Sequence, residues 1–123
     1  MRNDDDFHAW VEEVPHECLV VFVRGRIDVV SASQLKELLL ATVERRAPRT
    51  IIDLTQVSSI DSTGLGVLVS AAKRGVLGSL ALVCVDETMR NVFDLVGLDR
   101  LFTIYTSRRA ALAPGPLALI DQE

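Results

Sequence analysis

The residues best placed to do chemistry lie in one stretch, Ile60-Asp61-Ser62-Thr63-Gly64-Leu65-Gly66-Val67-Leu68, where two hydroxyls follow a carboxylate and glycines follow them. A serine there could serve as a nucleophile, and a glycine-rich turn could cradle a phosphate. A Walker phosphate loop needs Gly-Lys-Ser/Thr, but Gly66 is followed by Val67 and no lysine comes before Lys73. A dinucleotide fingerprint needs a third glycine where Val69 stands, although Asp86 lies at a suitable distance downstream. A nucleophile elbow needs a glycine where Ile60 stands. The histidines, His8 and His16, both lie near the N-terminus, so Ser62 has no base evident from the sequence.

The local pattern instead predicts a strand ending and a helix beginning at this turn. Asp61 is the predicted N-cap, its carboxylate accepting from the amides of Thr63 and Gly64, with Ser62 at the first helical position and its hydroxyl outward. Each glycine costs about 1 kcal/mol against alanine inside a helix. Gly64 and Gly66 therefore imply a close approach by another surface.

The remaining elements are those that must hold this turn. Phe7 to Val14 alternates, and Cys18 to Val23 is a continuous apolar run after the Pro15-His16-Glu17 turn, so an antiparallel pair is expected, with the second strand central. His8 and His16 read as surface residues. Ser31-Ala32-Ser33-Gln34 reads as a capping box with Ser31 as the N-cap. It opens a helix with Leu35, Leu38, Leu39, Thr42 and Val43 on one face, stopped by Pro48. Asp28 reads either as a turn residue or as part of a polar rim beside Ser62.

Thr50 to Leu54 is a strand apolar on both faces except for Asp53, which is expected near a strand end, paired with backbone amides or an arginine. The helix after Asp61 should bury Leu65, Leu68, Val69 and Ala72 and end at Gly75. Leu80 to Val85 is a further buried strand. Asp86 or Thr88 caps a short helix bearing Met89, Val92, Phe93 and Val96, closed by Gly97, with Met89 and Phe93 in the core. Leu101 to Tyr105 makes a last strand, and Ser107 caps Arg108 to Ala113 before Pro114-Gly115-Pro116. Strands alternating with helices after a hairpin define an α/β layer with a mixed, mostly parallel sheet of four to five strands and about four helices. Loops at strand carboxyl ends then put Asp28 and Ser62 on one rim.

With 123 residues, 49% hydrophobic and 24% charged, the chain is expected to form one domain over 7–113, between an acidic tail at 1–6 and a tail at 114–123. The apolar run Leu117-Ala118-Leu119-Ile120 in that last tail either folds back or binds something. A net charge of -4 with scattered basic residues disfavours direct nucleic acid binding. Neither a secretion signal nor an apolar run of about 20 residues is evident, so a cytoplasmic protein without membrane attachment is expected. Cys18 and Cys84 lack CxxC or histidine spacing and read as buried reduced thiols, with no metal or cofactor site.

Gly25-Arg26-Ile27-Asp28, the spacing to Leu35, Ile52-Asp53-Leu54 and the Asp61-Ser62-Thr63-Gly64 turn together resemble the STAS domains of bacterial anti-sigma factor antagonists. The likeness runs from about Leu19 to Tyr105 and includes Val92-Phe93-Asp94-Leu95-Val96-Gly97-Leu98-Asp99. It implies a STAS-type layer that binds an anti-sigma factor with serine kinase activity and so frees a sigma factor. It further implies that Ser62 is the phosphoacceptor, that a PP2C-type phosphatase reverses the modification, and that Asp28, Asp61, Thr63 and Gly64 border the partner surface. Arg26 stands where many relatives carry an acid, and Thr63 where the best-known relatives have a second serine. Two other readings of the chain are a STAS scaffold or small-molecule binder without phosphorylation, and a small α/β hydrolase or phosphotransferase using Asp53 or Ser62.

Overall fold

The continuous apolar runs become the interior strands of one sheet, because strands buried on both faces need no polar alternation. In the computed structural model, which describes residues 6–76 and 78–113, the strands are β1 (His8–Val14), β2 (Cys18–Ile27), β3 (Arg49–Ile60), β4 (Leu80–Val83) and β5 (Thr103–Tyr105). They lie in the order β1-β2-β3-β4-β5, so β3 rather than β2 is central. The β1-β2 pair is antiparallel and the other pairs are parallel. Helices α1 (Val29–Val43), α2 (Ser62–Arg74), α3 (Glu87–Leu95) and α4 (Arg108–Leu112), with a short 3-10 turn at Leu98–Arg100, complete the expected mixed layer. The predicted tails at 1–6 and 114–123, Asp6 apart, lie outside the described residues.

The main core lies on one face, where Val21, Val23, Ile27, Ile52 and Leu82 of the sheet meet Leu35 and Leu39 of α1, Leu68 of α2 and Phe93 of α3. A smaller cluster on the other face joins Cys18, Val20, Ile51, Ala81 and Val83 to Ala111 of α4. Both cysteines are buried and free, as expected, and burial pushes both thiols above their ordinary range.

Several expected boundaries move. β3 runs on to Ile60 rather than stopping near Leu54, because β2 also extends and pairs Arg24 with Gln56, Gly25 with Val57 and Ile27 with Ile60. Of the two register shifts along this pair, one falls at Gly25, whose φ of 88° is a conformation open to glycine. α1 begins one turn before Ser31, with Asp28 as its N-cap and Ser31 as the reciprocal partner. It ends at Val43, ahead of Pro48, with Arg46 in the left-handed region. In α2 the fully buried stripe is Gly64, Val67, Leu68 and Ala71, about one residue round from the expected one, with Leu65, Val69 and Ala72 only partly buried against the core. α3 buries Met89 and Phe93 as expected but leaves Val92 and Val96 exposed.

Asp53 has the arginine partner expected for it. Its side chain is wholly buried and accepts from Nε of Arg108, while its other oxygen accepts the Thr55 amide at 2.9 Å. The Arg108 guanidinium, 46% exposed, also donates to the Thr55 hydroxyl at 3.1 Å and lies over the Phe22 ring. Breaking a fully buried pair costs about 3–5 kcal/mol, and solvent around Arg108 and the retained Thr55 bond reduce this to about 2 kcal/mol. Arg108→Ala should lower the urea midpoint accordingly, and Asp53→Asn in the same chain should recover part of the loss. An unchanged midpoint for Arg108→Ala contradicts this role.

Candidate functional site

Two helix N-termini meet at the carboxyl ends of neighbouring parallel strands. β2 ends at Ile27 and turns through Asp28 into α1, while β3 ends at Ile60 and turns through Asp61 into α2. The Asp61 amide donates to the Ile27 carbonyl at 3.1 Å and ties one turn to the other. The sequence reading of Asp28 and Ser62 on one rim is therefore met, and Asp28 is both an N-cap and a rim residue.

Each turn is fixed by its own aspartate. One oxygen of Asp28 accepts the amides of Val30 at 3.0 Å and Ser31 at 3.2 Å. The Asp28 amide donates to the Ser31 hydroxyl at 3.0 Å, and that hydroxyl donates to the Arg26 carbonyl at 2.9 Å. The Ser31 amide is the main influence holding the Asp28 carboxyl below its ordinary value of 3.8. Desolvation opposes it, and the Val30 amide, the Ser31 hydroxyl and the charge of Arg26 assist. A depressed carboxyl stabilises the fold above its unfolded pKa, and that contribution is lost as pH falls through the lower folded value. Asp28→Asn, which cannot titrate, should therefore give a flatter fall in urea midpoint below about pH 4 than wild type. Equal slopes would remove Asp28 from the acid response.

At the second turn the Asp61 carboxylate accepts the Gly64 amide at 3.0 Å and the Asp61 carbonyl accepts that of Leu65. The expected bond from the Thr63 amide is not among those formed. Ser62, the first residue of α2, is exposed, as are Asp61 and Thr63. Gly64 faces inward: a Cβ there would lie 2.6 Å from Cγ2 of Ile27 and from Cγ1 of Ile60. The close approach inferred from the glycines is thus internal at Gly64, where α2 rests on the strand ends. At Gly66 a Cβ would meet nothing within 4 Å, so that position opens outward.

Beyond Ser62 the rim continues into a groove of about 410 Å³ between α1 and α2, lined among others by Val29, Ala32, Lys36, Thr63, Gly66 and Ser70. Val29 and Val30 stand 71% and 81% exposed beside Asp28. Sequence reasoning singled out neither this valine pair nor Lys36. Their signal was two apolar β-branched residues in a first helical turn, outside the core stripe. The larger cleft, about 630 Å³, lies between β1 and α1 beside Phe7, Gln34, Glu37 and Leu38, away from Ser62.

Neither histidine serves Ser62. His16 lies in the β1-β2 turn, at the opposite end of the sheet, and His8, on the edge strand β1, lies against Trp10 with the two rings tilted by 33°. Among the described residues no group of three or more His, Cys, Asp or Glu could hold a metal ion. No helix among them is long and apolar enough to cross a membrane.

A five-strand mixed sheet carries two aspartate-capped helix N-termini on one rim, with the exposed Ser62 opening the second helix. The STAS domain family model matches residues 9–111, and the chain belongs to that family. It is 41% identical over 88 residues to an anti-sigma-B factor antagonist of Bacillus subtilis, covering 68% of this chain and 78% of that protein. It is 34% identical over 96 residues to an anti-sigma-B factor antagonist of Listeria monocytogenes, covering 76% and 84%. The crystal structure of an anti-sigma factor antagonist from Mycobacterium paratuberculosis is similar with a TM-score of 0.81 at 29% identity, covering 91% of this chain and 96% of that one.

Proposed function

We propose that this protein is a cytoplasmic anti-sigma factor antagonist that binds an anti-sigma factor carrying serine kinase activity, and that phosphorylation of Ser62 switches it off. The observation that carries the reading is the exposed Ser62 at the start of α2, directly after the Asp61 cap whose amide is tied to the Ile27 carbonyl before the Asp28 turn. Relatives named as antagonists at 34–41% identity support the partner class. Asp61 and Thr63 flank Ser62 in the chain, Asp28 caps the neighbouring turn, Gly64 is buried behind them, and the exposed valines beside Asp28 offer the apolar area that a protein partner would cover. The chain supplies position rather than catalysis: the kinase brings ATP, and a PP2C-type phosphatase restores the hydroxyl.

Affinity capture from lysate of the native host, with wild-type and Ser62→Asp baits, tests this directly. An ATP-binding serine kinase should be enriched on wild type and depleted on Ser62→Asp. Recovery of the same proteins on both baits, without such a kinase, would leave Ser62 as a plain helix residue and sink the switch.

A further inference from the structure

The groove between α1 and α2 has a chemistry that the fold itself does not use. Its base is apolar, formed by the buried Ala32 and Val67 with the exposed Val29 beside them, and Gly66 adds no side chain to fill it. Its polar lining is Lys36 with the hydroxyls of Ser33, Thr63 and Ser70, and no carboxylate lies among the described lining residues. None of these polar side chains has a hydrogen bond or ion pair among the described residues. Elsewhere in the chain hydroxyls are engaged: Ser31 donates to the Arg26 carbonyl, Thr42 to that of Leu38 and Ser79 to that of Val76.

The charge of Lys36 is left without a counterpart from any nearby element. Ala32, Ser33, Leu39 and Leu40, three and four residues away along α1, offer no acid. Glu37, its neighbour in sequence, lines the cleft on the β1 side of α1 instead. The Asp28 and Asp61 carboxylates of the rim accept amides of their own turns. One ammonium and three hydroxyls over an apolar base, with no acid among them, fit an anion carried on a short apolar stem. A glutamate side chain has that form. Thr63, which follows Ser62, is part of the lining, so the groove is continuous with the Ser62 rim.

Resting on the reading of Ser62 as the switch, we propose that this groove receives a glutamate of the anti-sigma factor, its carboxylate paired with Lys36 and its methylenes on Ala32 and Val67. The partner thereby brings its own negative charge up to the Ser62 turn. A phosphate on Ser62 meets a like charge there, which is the repulsion that the switch needs.

The test uses the full chain and, once purified, the kinase that wild type captures and Ser62→Asp does not. Lys36→Met should weaken binding about tenfold and Lys36→Glu about a hundredfold. Lys73→Glu, the same charge reversal in the last turn of α2, should stay within about twofold of wild type. Both Lys36 variants should melt close to wild type, because that side chain holds nothing in the fold. Changing the partner's glutamates to lysine one at a time should yield one variant that binds Lys36→Glu better than it binds wild type. Undiminished affinity of Lys36→Glu, with Ser62→Asp still weakened, would overturn the groove and leave the switch standing. Failure to capture any such kinase removes both. Stabilisation of wild type but not Lys36→Met by millimolar inorganic phosphate, with kinase affinity unmoved by Lys36→Glu, would make the occupant a small anion and equally overturn the proposal.

Discussion

Phosphorylating Ser62 is expected to weaken binding of the anti-sigma factor about a hundredfold while barely altering the fold. The phosphate adds a charge of about -1.5 to -2 at an exposed residue. Within the free protein it meets opposing influences: the start of α2 favours an anion by about 0.3–1 kcal/mol, and Asp61 repels it. The melting temperature should therefore move by less than about 4 °C. At a closed interface a single like-charge contact at about 5 Å costs about 3 kcal/mol at an effective dielectric of about 20. Each 1.4 kcal/mol is about tenfold in affinity, which gives the hundredfold loss. Ser62→Asp carries the single charge on which that figure rests and should lose about as much, with the phosphate's further charge making about a hundredfold its lower bound. Titration calorimetry of modified and unmodified protein against the kinase, beside thermal melts of each, separates the two effects. Equal affinity for the phosphorylated form would refute the switch, and a collapse of the melting temperature would make it a folding effect.

A change confined to binding follows from how the site is built. Asp61 is already engaged with the Gly64 amide and Asp28 with those of Val30 and Ser31, so the turns do not depend on the Ser62 hydroxyl for their shape. The serine can therefore be modified without dismantling its surroundings.

Much of this arrangement was legible because it is local. The cap at Asp61, the exposure of Ser62 and the core pair Met89 and Phe93 depend on residues within one or two helical turns. So did the strand runs, whose continuous apolar character has one economical placement, the interior of a parallel sheet. What escaped depends on distant partners. Thr55 to Ser59 is polar enough to read as a loop, and it becomes strand because β2 runs alongside it to Ile27. Ser31 followed by Gln34 imitates a capping box, yet Asp28 takes the cap because its carboxylate accepts two amides at once and its backbone is extended. The α2 stripe was displaced by one residue because glycine has no hydropathy to reveal that Gly64 faces the sheet. Which strand is central cannot be read from strand composition alone, and here the choice fell to β3.

The two glycines of α2 should respond to substitution in opposite directions. Both cost about 1 kcal/mol of helix propensity, so both would gain from alanine if nothing else intervened. At Gly64 the new Cβ would sit 2.6 Å from Cγ2 of Ile27 and Cγ1 of Ile60, atoms next to the branch point and unable to withdraw without moving the strand ends. Overpacking of that kind costs about 1–3 kcal/mol. Gly64→Ala should come out destabilised by about 1 kcal/mol, and Gly64→Val, with more bulk and little propensity gain, by about 3 kcal/mol. At Gly66 the same Cβ meets nothing, so Gly66→Ala should stabilise by up to about 1 kcal/mol. In thermal melts this means a fall of roughly 12 °C for Gly64→Val and a rise of up to about 4 °C for Gly66→Ala. A glycine kept at Gly66 despite that available stability then has its reason outside the fold, in the groove between α1 and α2. Gly66→Leu should accordingly keep the melting temperature at or above wild type while weakening the anti-sigma factor. If it binds as tightly as wild type, the groove is not part of the partner surface and contact is confined to the rim around Ser62.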